Sequence, residues 1–284
     1  MTEQMYRNHY APLQLPAPGP HYSVPEYPDV DVAIIMESTY PYLKGGVSAV
    51  VHDIVCENPD LTYGIIHIAW DKNSPHEDLY GMPENVKWVK VLYLSLEVNR
   101  DAFAEACDPS ALRMNFAERQ ALTQRLMDGF SALIAGDVNP LWKLYDEGIN
   151  PATRSYNLFG LFGTREFMQA IAGLGFFSEV PFGELFWKVR DFVSILFAIL
   201  HERMPHARVY HAHTTGYAAL IAAAAARDHG TSFLLTEHNL YIRDTVNTKL
   251  ERNMAKPVTT DYAFLNEERE HPGLGPVTLD ERAW

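Results

Sequence analysis

Asp31-Val32-Ala33-Ile34-Ile35-Met36-Glu37-Ser38-Thr39-Tyr40-Pro41-Tyr42-Leu43-Lys44-Gly45-Gly46-Val47 is the stretch whose reading decides the fold. Val32 to Met36 is continuously apolar and rich in β-branched residues, the pattern of a strand buried on both faces within a parallel sheet. Ser38 to Gly46 reads as a loop. Beyond it Val47, Val50, Val51, Ile54 and Val55 recur at the spacing of one helical face, and Asn58-Pro59 closes the helix. A strand, a loop and a helix in that order make the first unit of an α/β fold.

The units that follow keep the alternation. Tyr63 to Trp70 and Val86 to Leu94 are strand candidates, separated by a polar turn region with Asn73, Ser74, Pro75, Gly81 and Pro83. From about residue 101 to 205 the period becomes helical. Leu122, Leu126, Phe130 and Leu133 line one stripe, and Phe186, Val189, Val193, Phe197 and Leu200 another. A block of this length exceeds an ordinary connection and reads as a helical insertion. Strand character returns at Ala207 to Tyr210, followed by an Ala-rich helix from Gly216 to Arg227 and a strand at Ser232 to Thr236. The fold class expected is α/β, a Rossmann-like, doubly wound parallel sheet carrying a large helical insertion. Residues 1–28, with prolines at 12, 16, 18, 20, 25 and 28, form an extended lead-in outside the core, and residues 29–284 form the domain. The final Thr278-Leu279-Asp280-Glu281 reads as the capped start of a helix. No internal repeat is visible.

Composition narrows the partners. Twenty-three Lys and Arg face 36 Asp and Glu, a formal net charge of −13. A protein that coats phosphates needs the opposite surplus, so nucleic acid is excluded as an expected partner. With 47% hydrophobic residues the chain can bury a sizeable core. Its apolar runs fall far short of the ~20 residues a bilayer requires, and no basic patch followed by an apolar run marks a signal peptide at the N-terminus. Cys56 and Cys107 form no disulfide framework and read as small core hydrophobes of a cytoplasmic protein.

In an open parallel sheet, ligands sit beyond the carboxyl ends of the strands. After the first strand stand Glu37, then Lys44, Gly45 and Gly46 ahead of a helix N-terminus. Such a turn lets backbone N–H groups and the helix dipole approach an anion, with Lys44 as a mobile cation, although a plain glycine turn gives the same residues. It is not the GxGxxG dinucleotide fingerprint. After the fourth strand comes His211-Ala212-His213-Thr214-Thr215-Gly216, either the wall of a polar site or a helix start capped by Thr214 or Thr215. After the fifth comes Thr236-Glu237-His238-Asn239, with Tyr241 and Arg243 beyond. His238 is a candidate hydrogen-bond donor or general acid/base, because imidazole titrates near neutrality. His211, His213, His238 and Glu237 also offer the ligand types of a metal hydrolase, with the two histidines of an HxH on one side of a strand. No Gly-x-Ser-x-Gly elbow supports an acyl-transfer triad.

The residues from Asp31 to Tyr42, with Lys44-Gly45-Gly46-Val47-Ser48, resemble the opening of bacterial family 4 glycosyltransferases of the PelF type, whose N-terminal region is a domain of unknown function, DUF3492. Tyr80 to Val86 (YGMPENV), Tyr210 to Tyr217 (YHAHTTGY) and Leu235 to Arg243 (LTEHNLYIR) are similar to further landmarks of that region, in the same order. The resemblance implies the N-terminal half of a GT-B architecture. It also implies a metal-independent, retaining hexosyltransferase without a cofactor, using a nucleotide sugar such as UDP-glucose to extend an exopolysaccharide. By position, Gly45 and Gly46 would approach the donor diphosphate, His238, in a context similar to the T-x-H-N of glycogen synthases, would sit beside the transferred sugar, and His211 and His213 would line the acceptor side. Two departures accompany it. Lys44 adjoins Gly45, where the glycogen synthase loop has a residue between, and no Glu-x7-Glu motif of a C-terminal donor domain is present. The expectation is an acceptor-side half, incomplete alone, whose partners would be a glycan acceptor and a separately encoded donor domain or membrane synthase. A non-catalytic module binding a partner or polysaccharide is the other expectation.

Overall fold

A computed structural model of the chain describes residues 27–174 and 180–238. Its centre is a five-stranded, all-parallel sheet in the order β3-β2-β1-β4-β5. The strands are β1 (Val30–Glu37), β2 (Tyr63–Ala69), β3 (Val86–Tyr93), β4 (Ala207–Ala212) and β5 (Ser232–Leu235). β1 pairs with β2 on one side and β4 on the other; Ile34 lies opposite Ile65 and His211, and Ile35 opposite Ile66 and Ala212. Both faces of β1 are covered, which is why its sequence does not alternate. Ile34 and Met36 pack with Val51 and Val55 of α1 (Gly46–Glu57), while Ala33 and Ile35 belong to the core shared with the other helices.

The expected α1 stripe is met at Val47, Val51, Ile54 and Val55, whereas Val50 is exposed. Cys56 is also exposed and Cys107 half-buried, so the expectation of two core cysteines fails for Cys56, which lies on the outward side of the last turn of α1. The lead-in is drawn into the domain at its end: the Trp88 indole N–H donates to the Pro28 carbonyl at 3.0 Å, and Tyr27 packs edge-on to Trp88. The reading of Thr278 to Glu281 as a helix start lies outside the described residues.

Between β3 and β4 stands the helical insertion. It comprises α2 (Leu96–Ala106), a 3-10 turn (Pro109–Leu112), α3 (Phe116–Ile134), α4 (Asn139–Gly148), α5 (Phe159–Phe162), α6 (Arg165–Ala172) and α7 (Phe182–Leu200). Local chemistry explains several starts. Asn115 and Glu118 form a reciprocal capping box at α3, and the Thr164 hydroxyl accepts from the Phe167 N–H at α6. Phe197 of α7 packs edge-on against Phe103 and Phe159, which ties α2 and α5 to α7. The predicted stripes hold toward the middle of the block and fail at its margins, where Leu133 and Phe186 are exposed because no described element lies over them.

α8 (Tyr217–His229) follows β4 and packs on β4, β1 and β5. Its C-terminal turn is tied to the insertion. Tyr145 Oη donates to both Asp228 carboxylate oxygens at 3.0 Å, Asn150 donates to the same group at 2.8 Å, and Arg227 pairs with Asp146. Burial pushes the Asp228 carboxyl up from its ordinary range. On β5, Phe233 and Leu234 are each 51% exposed among the described residues.

β2 approaches β3 closely because Gly64 faces the Trp88 ring; a Cβ at Gly64 would overlap the indole. Gly64→Ala is therefore expected to destabilise the domain by about 1–3 kcal/mol through overpacking, read as a lowered urea midpoint with an unchanged slope.

Candidate functional site

The sheet order locates the crevice. The chain steps from β1 outward to β2 and β3, then returns through the insertion to place β4 on the opposite side of β1. Strand connections diverge beyond the carboxyl ends of β1 and β4, the position at which open α/β sheets bind ligands. Glu37 closes β1 there. Ser38 then turns the chain with φ 49°, a left-handed conformation uncommon outside glycine, and its N–H donates to the Ile68 carbonyl at 2.9 Å.

Glu37 is half-buried and points across the switch point: its Oε1 accepts from the Ala218 N–H of α8 at 3.1 Å. Burial raises its pKa, opposed chiefly by the hydrogen bond donated by the Ala218 N–H. A carboxylate from another strand thus caps α8. The expectation that Thr214 or Thr215 caps this helix is corrected: Gly216 occupies the cap position with φ 82° and no side-chain cap bond, and Thr215 donates instead to Glu237 at 3.3 Å. A residue flanking the turn cannot reach the helix N–H groups that Glu37 already faces.

The histidines converge. His213 N–H continues the β4 ladder by donating to the Ile35 carbonyl, and its side chain is fully buried. Its Nδ1 lies 2.9 Å from His238 Nε2, with the two rings stacked at 5.2 Å between centroids. The His211 ring stands 4.1 Å from that of His213, as two residues on one side of a strand should, and its Nε2 meets the Thr236 hydroxyl at 2.8 Å. Burial, then the neighbouring His211 and His238, push His213 down to about 3; burial and His238 also lower His211. His213 therefore stays neutral at physiological pH, and being sealed it reaches any ligand only through His238.

The glycine loop lies at the start of α1. Gly45 is extended, and a Cβ at Gly45 or Gly46 would meet nothing within 4 Å, so the fold itself does not demand glycine at either position. The Gly45 N–H donates to the Tyr80 hydroxyl at 3.2 Å, which brings the YGMPENV stretch onto the loop. Asp78 holds that stretch in place by accepting from the N–H groups of Tyr80, Gly81 and Met82. Lys44 and Glu237 are exposed, and Arg243 lies outside the described residues. The three expected clusters therefore stand at neighbouring strand ends, and contacts between the second and third are direct: His211 to Thr236, His213 to His238 and Thr215 to Glu237.

A ring cluster at the ends of β2 and β3 escaped the sequence reading. Tyr42 packs edge-on to His67 and His76, His76 bonds to the Tyr93 hydroxyl at 3.3 Å, and His67 Nδ1 lies 3.1 Å from the Tyr40 carbonyl. On the other side of that loop Tyr40, His52 and Tyr80 pack together. The only signal was the density of Tyr and His just after predicted strands. As for a metal, among the described residues no group of three or more His, Cys, Asp or Glu side chains is placed to hold one ion.

A single Rossmann-like α/β domain, with carboxylate, imidazole and backbone donors gathered at its topological switch point, is what the fold and site define. The chain belongs to the family described as Domain of unknown function (DUF3492), whose model matches residues 30–263. No match was found among curated proteins or solved structures. No helix among the described residues is long and apolar enough to cross a membrane.

The low pKa of His213 sets a direction for acid stability. Between its ordinary value of 6.5 and about 3, the unfolded chain takes up a proton that the folded chain refuses. This contribution is complete above the ordinary value and is lost as pH falls toward the folded value. Lowering pH from 7 to 5 should cost about 2 kcal/mol at this residue, and the loss should shrink in His213→Asn, followed by urea titration at each pH.

Proposed function

We propose that this domain is the acceptor-side half of a PelF-like glycosyltransferase, which moves glucose or a related hexose from a nucleotide sugar, UDP-glucose by resemblance, onto a growing exopolysaccharide with retention of configuration. The observation that carries the reading is the placement of Glu37 at the end of β1 and of the hydrogen-bonded His213–His238 pair just beyond β4 and β5, all at the carboxyl ends of neighbouring strands, where the loop after β1 also carries two glycines that the fold does not require. Membership of the DUF3492 family supports it.

Each group has work suited to glycosyl transfer. The N-terminus of α1 has no side-chain cap bond among the described residues and presents backbone N–H groups and the positive end of a dipole, which suit a departing diphosphate, with Lys44 adjoining in sequence. His238 offers an imidazole beside the sugar. Glu37, whose pKa burial has raised, is a hydrogen-bond partner for a hydroxyl. The acceptor glycan would lie along the strand ends bearing His211 and Thr214. The nucleotide would be gripped mainly by a second, donor-binding domain on the cytoplasmic side, where nucleotide sugars are made available. No metal or organic cofactor enters the proposal.

The test is transfer from radiolabelled UDP-glucose to glycan, by the purified chain and by the chain mixed with a PelF-type donor domain. No appreciable transfer is expected from the chain alone, and transfer by the mixture. Robust turnover by the chain alone would overturn the half-enzyme reading; glycan binding with no transfer in either arrangement would favour a binding module.

Two variants separate fold from chemistry. Gly46→Ala should unfold at nearly the native urea midpoint, because a Cβ there meets nothing within 4 Å among the described residues, yet lower transfer by the mixture about a hundredfold if a diphosphate must approach that backbone. His238→Ala should reduce transfer on the order of a hundredfold through loss of a donor beside the sugar.

A further inference from the structure

His213 and His238 share one hydrogen bond between ring nitrogens, 2.9 Å from Nδ1 to Nε2. Such a bond needs one N–H and one lone pair, so the two neutral rings must hold complementary tautomers. The surroundings of His213 decide which. Its side chain is fully buried, and its Nε2 is sealed, with no hydrogen-bond partner among the described residues. A proton on that nitrogen would be a buried donor stripped of water with no acceptor in exchange, whereas a proton on Nδ1 is used in the bond to His238. A doubly protonated ring would bury a cation beside two other imidazoles.

We propose that His213 is a positioning residue: its Nδ1–H donates to Nε2 of His238, locking neutral His238 as the Nδ1–H tautomer, with that N–H as the one ring donor left for an oxygen ligand. Three features make the arrangement rigid. The two rings lie within 17° of parallel, the His211 ring leans on His213, and His211 is itself held by the Thr236 hydroxyl one strand away. The backbone of His213 is fixed as well, through its bond to the Ile35 carbonyl of β1. His238 is half-buried rather than sealed, and its Nδ1 makes no hydrogen bond among the described residues. The ligand chemistry that suits it is a hydroxyl or phosphoryl oxygen. A group that needs a lone pair from His238, such as a metal ion or a hydroxyl to be deprotonated, finds Nε2 already occupied.

This deepens the glycosyltransferase reading by naming what His238 contributes, and its test requires no sugar. The full chain labelled with 15N-histidine is recorded in a long-range 1H–15N spectrum at neutral to mildly alkaline pH, with the two rings assigned from His213→Asn and His238→Gln. Pyrrole-type shifts are expected at Nδ1 of both residues and pyridine-type shifts at both Nε2 atoms. His213→Asn, whose amide N–H can stand where Nδ1–H stood, should keep the His238 pattern. His213→Leu should move both His238 nitrogens toward the averaged shifts of a tautomer mixture. A pyrrole-type shift at His213 Nε2, or an unchanged His238 pattern in a folded His213→Leu chain, overturns the inference. If the leucine variant does not fold, the native and asparagine spectra decide. The expected spectrum with no nucleotide-sugar binding by any preparation would instead remove the glycosyltransferase reading and leave the tautomer standing.

Discussion

Burial of β1 on both faces and both edges is the constraint from which the rest of the domain is arranged. Its backbone groups are taken up by β2 and β4, the side chains of Ala33 and Ile35 by the core of the helical layer, and those of Ile34 and Met36 by α1. A central strand in this position leaves no freedom of register, because a slip of one residue would turn Ile34 and Ile35 to the wrong faces. Glu37 and Ser38, the first residues past this fixed frame, are therefore placed as accurately as the core. Ser38 adopts an uncommon backbone conformation at that point, and Glu37 reaches a helix that begins 180 residues later in the chain.

Elements with a strong periodic signal were legible in the sequence. β1 was readable because it is apolar without alternation, and α8 because small alanines allow a helix to lie close on the sheet. Exposure at the margins was not readable in the same way. Val50 and Leu133 fit their helical stripes in sequence, but whether a stripe is covered depends on what packs there, and that is a tertiary fact. The cap of α8 shows the same limit. Thr214 and Thr215 carry the local chemistry of a cap, and a carboxylate from a remote strand has taken the place. The ring cluster of Tyr42, His67, His76 and Tyr93 joins residues from three separate segments, so no spacing rule could assemble it. Among the candidate residues, the grouping of histidines was visible as strand-end motifs, while the complete burial of His213 was visible only in three dimensions.

The electrostatics of the switch point differ from those of the whole chain. The net charge is −13, yet the groups brought together at the crevice include a carboxyl whose ionisation burial resists, two imidazoles, His211 and His213, whose protonation burial opposes, and the N–H groups at helix starts. An anion entering there would meet oriented dipoles more than formal charges. Dipoles fixed by strand and helix ends need no rearrangement when charge develops, which is the property a transfer reaction exploits. The Tyr80 hydroxyl already sits on the Gly45 N–H, so an incoming oxygen at that nitrogen would have to displace it.

α8 gives the last consequence. Its first turn is held by Glu37 at the crevice, and its last turn is held by Tyr145 and Asn150 of the helical insertion through Asp228. A helix of 13 residues is about 20 Å long and stiff along its axis. It joins the crevice to the α4 end of the insertion as one stiff member. Insertion and crevice are thus parts of one packed frame, joined through α8 as well as through the shared core.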